Sequence, residues 1–347
     1  MNINVIQAKP EDSLYIDEYL SSKPQASPYQ HMQWLVAVKN AYGFDYSYLL
    51  VKVENQIVGT LPLCIFRGLG GKKNICSLPF CDVGGVVADN TEIKDALIQH
   101  ALKIVDQQQA TSLEIRQRLT EREVNECMTE QKVSMLLDLP DSADSLFQGF
   151  KAKLRSQIRK AEKNGLIFDF ANDKKSIEDF YFVFTRNMHN LGSPTHSKKW
   201  FHALRESYGK DLLVGSVWLE DKIVGSGILL FSGNNVSIPW ASTLRDYNRL
   251  APNMLLYWNL LRLSCEKGCR QFDFGRSTFG EGTFKFKQQW GAKPVLLDWQ
   301  TLDKQGTLAE ISSSKSRVRD MVETVWKKLP LPVANTIGPR LRRYISL

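Results

Sequence analysis

The chain repeats itself. At an offset of 166 residues Ser27 and Pro28 meet Ser193 and Pro194, Trp34 meets Trp200, Ala37 meets Ala203, and Tyr42, Gly43 and Asp45 meet Tyr208, Gly209 and Asp211. Val51, Glu54, Ile57, Val58 and Gly59 then meet Val217, Glu220, Ile223, Val224 and Gly225. These are twelve identities in the 33 positions from Ser27 to Gly59, where chance allows about two for ordinary composition. The chain must therefore fold as one unit used twice.

Beyond this block the offset falls to about 160, and Ser77-Leu78-Pro79-Phe80 faces Ser237-Ile238-Pro239-Trp240. A helical stretch follows in each copy, Ile93 to Gln107 and Asn253 to Lys267, then a short strand, Leu113-Glu114-Ile115-Arg116 against Phe272-Asp273-Phe274-Gly275-Arg276. Each copy reads helix, strand, tight turn, strand, strand, helix, strand. The turns Glu54-Asn55-Gln56 and Glu220-Asp221-Lys222 separate apolar β-rich runs, as in a hairpin. Hairpins followed by a strand–helix–strand crossover predict an α+β fold, each copy a mixed, mostly antiparallel sheet flanked by helices. The seam runs from Leu139-Pro140 to Lys163, with a helix closed by Asn164-Gly165. The expected division is 1–145, 146–303, and a basic helical tail, 304–347, in which Ile311 to Lys328 reads as helix.

The 347 residues are 43% hydrophobic and 24% charged, which excludes disorder, collagen and a disulfide miniprotein. The first residues lack the basic head and apolar run of a signal peptide, and no stretch reaches the roughly 20 apolar residues of a membrane span, so a cytoplasmic location is expected. Six scattered cysteines without a CxxC pair read as reduced packing residues, and no metal site is expected.

The net charge of +8 is concentrated. Residues 315–347 carry eight cations and two acids, and residues 150–163 six cations and one acid, leaving the remainder at −3. That excludes a general nucleic-acid coat, and no DNA partner is expected. The helix 150–163 spaces Phe150, Leu154, Ile158 and Ala161 along one apolar stripe, with Arg155 and Arg159 beside it. It reads as a site for a phosphate-bearing partner or as a solvated face. In the tail, Trp326, Leu329, Leu331, Val333 and Ile337 alternate with Lys and Arg, which suits peripheral contact with the inner face of an anionic membrane through 315–347, or docking back onto the protein.

The densest chemistry runs from Phe272 to Gly291. A strand ends at Gly275-Arg276, a glycine-rich turn follows, and Phe284-Lys285-Phe286-Lys287 alternates before Trp290-Gly291. Alternation puts both phenylalanines on one strand face and both lysines on the other: an anion or oxyanion site, or a solvated edge. Arg245, Asn248, Arg249 and Asn253 precede the helix starting near Met254, a position for a phosphate or carboxylate or a plain capping loop. Arg67-Gly68-Leu69-Gly70-Gly71-Lys72-Lys73 has the composition of a phosphate loop without its spacing, and reads as a mobile turn.

Read together, several motifs resemble the FemAB-like branch of the GNAT acyltransferase superfamily, most closely its exosortase and PEP-CTERM associated members. They include Ile57-Val58-Gly59, Ser77-Leu78-Pro79-Phe80, Lys153-Leu154-Arg155 with Ile158-Arg159-Lys160-Ala161, Asn253-Met254-Leu255-Leu256-Tyr257-Trp258, Phe272-Asp273-Phe274-Gly275-Arg276-Ser277, and Phe286-Lys287 with Trp290-Gly291. The resemblance implies tandem GNAT-like domains and transfer of an acyl or aminoacyl group to an amine of a cell-envelope or exopolysaccharide precursor, small or lipid-linked. It implies no tightly bound cofactor, and leaves the donor open between aminoacyl-tRNA and acyl-CoA; the coiled-coil insertion of some Fem enzymes has no counterpart here. Lys287 matches the lysine expected to stabilise a tetrahedral oxyanion, and Phe286 would shape the acyl slot. Asp273 is either a base for the attacking amine or a structural carboxylate paired with Arg276. Trp240, from the second half of the repeat, and Tyr257, within the quoted motifs, complete the expected substrate-binding set of Phe286, Arg276, Arg245, Asn248, Arg249, Asn253, Arg155 and Arg159. The first copy lacks a Phe-Lys-x-x-Trp-Gly counterpart, so one active site is expected, in the second. The alternatives are a non-catalytic binding protein of this fold in export or polysaccharide assembly, and an acyl-CoA-dependent N-acyltransferase acting on a nucleotide sugar.

Overall fold

Both copies follow the expected element order. The computed structural model describes residues 3–68, 71–119, 131–309 and 323–346, and the chain divides into two units: Met1–Glu126 with Val295–Ser312 and Arg343–Leu347, and Cys127–Pro294 with Ser313–Arg342.

The first unit contains β1 (Val5–Gln7), α1 (Ser13–Ser21), α2 (Met32–Tyr42), β2 (Asp45–Val53), β3 (Gln56–Arg67), β4 (Lys73–Cys76), β5 (Val87–Ala88), α3 (Thr91–Gln107) and β6 (Leu113–Arg118). Its strands pair in the order β1-β2-β3-β4-β6, with β5 also on β3; among the described residues only the β4–β6 pair is parallel. The amphipathic α3 buries Ile93, Leu97, Ala101, Leu102 and Val105 at helical spacing against Leu49, Leu61, Leu63 and Leu113 of the sheet.

The second unit contains β7 (Lys132–Asp138), α4 (Ala143–Gly149), α5 (Ala152–Lys163), β8 (Leu166–Ala171), α6 (Lys174–Leu191), α7 (Lys198–Tyr208), β9 (Leu212–Leu219), β10 (Lys222–Ser232), β11 (Asn235–Thr243), α8 (Pro252–Glu266), β12 (Gln271–Thr278) and α9 (Gly282–Gln289). The strand order is β7-β12-β11-β10-β9-β8, with β11–β12 the one parallel pair. Helices α6 and α8 both pack on β9, β10 and β11. The expected stripe of α5 is buried at Leu154, Ile158 and Ala161, and the helix ends at Asn164 with Gly165 at φ +76°.

The repeat survives in fine detail. In the first hairpin Val51 faces Gly59 and Lys52 faces Ile57, so Val58 is one residue too many on its strand. In the second, Val217 faces Gly225 and Trp218 faces Ile223, so Val224 is the extra residue. The same Ile-Val-Gly triplet thus forms the same β-bulge twice. Trp34 and Trp200, also paired by the repeat, are both fully buried.

The strand after each copy serves the other unit. β7, which follows β6 in sequence, pairs with β12 in the second unit, so the division falls at Glu126 rather than at residue 145. Strand β13 (Lys293–Leu302) pairs through Leu297–Leu302 with β6 in the first unit. The tail is no separate body either. Helix α10 (Leu331–Arg342) packs on α6, His189 Nε2 lies 2.7 Å from the Leu329 carbonyl, and Trp326 and Ala334 are buried. Docking therefore takes up part of the apolar surface expected at a membrane. The helix expected over 311–328 falls largely outside the described residues. No helix among them is long and apolar enough to cross a membrane.

Candidate active site

The site begins where two parallel strands part. β11 and β12 pair at Asn235–Gln271, Val236–Phe272 and Ser237–Asp273. Beyond that point β11 stays with β10 as far as Thr243, and β12 stays with β7 as far as Thr278. Just past the divergence the β12–β7 register slips between Asp273 and Arg276, and Gly275 takes φ +73°, a backbone state that costs a glycine little. Asp273 explains the bend. Its buried Oδ1 accepts from the Gly275 amide at 2.8 Å and from Ser134 Oγ at 3.1 Å. A buried carboxylate is tolerable when hydrogen-bonded in this way, and here it clamps the bulge.

The Phe-Lys alternation forms helix α9, not a strand. Four residues are too few to distinguish a period of two from one of 3.6, and packing decides: Phe284 and Lys287, three apart, share the buried face, while Lys285 is exposed. Lys287 is only 8% exposed, and its Nζ donates to the Gly275 carbonyl at 3.0 Å and the Arg276 carbonyl at 2.8 Å. The ammonium is therefore inward, seated on the bulge beside the strand divergence.

Aromatic rings back this helix. The half-buried Phe286 meets Tyr257 edge-on with centroids 5.0 Å apart, and Tyr257 stacks on Phe274 at 5.7 Å and lies 6.1 Å from Trp290. Burial pushes the Tyr257 hydroxyl pKa well above its ordinary value, so it remains a neutral phenol. A cavity of about 300 Å³ opens along Gln288, Gln289, Trp290 and Gly291, with Phe150, Lys151, Leu137 and Leu146 opposite. Lys287 itself is not in its wall.

Of the residues singled out in the sequence, Lys287, Asp273, Arg276, Phe286 and Tyr257 gather around β12 and α9. The others go elsewhere. Trp240 packs against Phe201 at 5.1 Å and beside His196 and Trp200. Arg245, Asn248 and Arg249 lie exposed on the 3-10 turn Arg245–Leu250 before α8, and Asn253 stands in the first turn of that helix. Arg155 donates to the Gln148 carbonyl at 2.8 Å, and the exposed Arg159 lies over the Phe147 ring. Ser134 escaped the sequence reading. Its signal was a lone hydroxyl in the apolar run Val133-Ser134-Met135-Leu136-Leu137, where a fully buried polar group needs a partner.

Residues 148–288, which hold this site, match the family model described as "Acetyltransferase (GNAT) domain". No curated protein matches the sequence. Among solved structures the chain is similar to FemX, with a TM-score of 0.68 at 15% identity, covering 84% of this chain and 95% of that one. It is similar also to a tandem GNAT protein from the clavulanic acid biosynthesis pathway, with a TM-score of 0.54 at 13% identity over 87% and 99%. A third likeness is to the C-terminal domain of a putative lysylphosphatidylglycerol synthetase from Agrobacterium fabrum, with a TM-score of 0.51 at 12% identity over 83% and 91%. The chain thus has the α+β fold of tandem GNAT-like domains, and the GNAT acetyltransferase model matches its second copy.

Proposed function

We propose that the second copy transfers an acyl or aminoacyl group to an amine of a cell-envelope precursor. The observation that carries this reading is the parting of β11 and β12 at Ser237 and Asp273, with the Lys287 ammonium buried beside it. The end of the central strand is where GNAT-like folds open to donor and acceptor. When the amine attacks an activated ester or thioester carbonyl, negative charge develops on its oxygen, and a fixed cation in a water-poor cleft stabilises that charge. Lys287 has this role in our reading. Asp273 is a positioning residue, since its carboxylate already holds the Gly275 amide and Ser134. Phe286 and Tyr257 line the acyl group, and Arg276 meets the anionic part of a substrate. The FemX and lysylphosphatidylglycerol synthetase likenesses favour envelope chemistry, and the donor in this reading is aminoacyl-tRNA or acyl-CoA.

One observation favours a non-catalytic binding role: the Lys287 ammonium already serves two backbone carbonyls, as a structural lysine would. Donor consumption separates the two readings. Thiol release from acyl-CoA and deacylation of charged tRNA are followed with amine-bearing envelope precursors, for the native chain and for Lys287→Met. The transferase reading expects one donor to be consumed by the native chain, and the variant to keep donor affinity while losing turnover. If the native chain consumes neither, the binding reading stands.

A further inference from the structure

We propose that the first unit carries a phosphate-binding site of its own, at the turn end of the β3–β4 hairpin and apart from the β11–β12 divergence. A cavity of about 330 Å³, the volume of about ten waters, is lined there by Phe44, Asp45, Phe66, Arg67, Lys73, Arg343 and Tyr344. Its three cations come from three places in the chain: the end of β3, the start of β4, and the segment after α10.

None of the three has a carboxylate partner among the described residues. Lys73 spends its ammonium on the Gln108 carbonyl at 3.3 Å, and Arg343 lies over the Tyr344 ring at 5.5 Å. The one acid in the wall, Asp45, is engaged by Lys39. Like charges drawn into one concavity repel unless an anion joins them. The rings of Phe44 and Phe66, each only 8% exposed, give the cavity a low-dielectric floor that strengthens any ion pair formed above it.

The charge count selects the ligand. A carboxylate would neutralise one of three cations, whereas a phosphate monoester or pyrophosphate brings about two charges or more and several acceptor oxygens. Two guanidinium forks suit phosphate oxygens in pairs. Such a group has two sources, a soluble phosphate compound or a phospholipid headgroup.

The probes are pyrophosphate, titrated calorimetrically into the full chain, and vesicles of phosphatidic acid, a lipid phosphomonoester, against phosphatidylcholine, followed by sedimentation. Saturable pyrophosphate binding identifies the soluble source, and binding confined to phosphatidic acid vesicles identifies the headgroup. In either arm Arg67→Gln and Arg343→Gln should each weaken binding about tenfold, the usual loss of one charge-assisted hydrogen bond. Lys210→Gln, which removes an exposed cation from the turn before β9, should leave it unchanged. Arg343 is exposed at the end of the chain, so its replacement leaves the fold intact. No saturable binding in either arm, or an equal loss with Lys210→Gln, overturns the proposal.

Discussion

The two copies build the same strand divergence and use it in opposite ways. In the first, β4 and β6 pair only at Ile75–Leu113 and Cys76–Glu114, after which the protein's own backbone takes the space. The Ser77 amide bonds the Glu114 carbonyl at 2.7 Å, and the Gly84 amide bonds the Arg116 carbonyl at 2.9 Å. Arg116, 1% exposed, ties this filling together. Its Nη1 reaches the carbonyls of Leu78, Cys81 and Ser346 at 3.2, 2.9 and 3.1 Å, its Nη2 reaches Ser346 Oγ at 2.8 Å, and its Nε meets Glu114 at 2.8 Å. In the second copy the cation beside the divergence is Lys287, held by the carbonyls of Gly275 and Arg276. A five-donor fork suits a site filled by peptide, and a compact ammonium suits one where charge must appear on a single oxygen. Duplication kept the scaffold and the bulges, and the copies diverge at this place.

The largest test of that contrast is Arg116→Met. It strands several buried carbonyls and the Glu114 carboxylate together, and breaking a buried charged network costs about 3–5 kcal/mol. The urea midpoint should fall accordingly, with the specific turnover of the protein that remains folded unchanged. A loss under about 1 kcal/mol would mean that the filling holds without its fork. Lys287→Met comes next. It should lower turnover by about 10²–10³ at unchanged donor affinity. A variant that melts early yet keeps full turnover per folded molecule would make the second lysine as structural as the first arginine. Ser346→Ala removes only the bond to Arg116 Nη2 and should cost about 1.5–3 kcal/mol or less, since that terminal residue is partly solvated.

The sequence disclosed what repetition and periodicity encode. The offset of 166, the two hairpin turns, the α5 stripe and the Asn164-Gly165 stop all name elements that fold as read, because each is set by neighbours within a few residues. The gathering of Lys287 with Asp273 could be suspected only through family resemblance, for the two are fourteen residues apart and meet through a bulge that Gly275 makes possible. The exchange of β7 and β13 left no local mark, since a strand's sequence does not say which edge it joins. In the sequence Arg116 is merely the last letter of a strand motif. Its five donors find carbonyls from the 78–81 stretch and from Ser346, 230 residues away, contacts that no spacing rule reaches.

The smallest effect concerns how the two units hold the end of the chain. Arg342 Nε donates to His196 Nε2 at 3.1 Å, and four residues later Ser346 is held by Arg116. The imidazole accepts at Nε2, so it is neutral with its proton on Nδ1. Burial, and then the nearby Arg342 charge, hold its pKa well below the ordinary value. The unfolded chain therefore binds a proton near pH 6.5 that the folded site refuses. The stability from this contact is complete above about pH 6.5 and declines as pH falls below it. Arg116 keeps its charge throughout that range. Hydrogen exchange at pH 7 and pH 5, corrected for intrinsic rates, should show protection falling for 331–342 while the Phe80 amide, bonded to the Ser346 carbonyl at 2.6 Å, keeps its own. His196→Gln should flatten the first response and leave the second alone, and equal acid sensitivity at both places would mean that the two anchors let go as one.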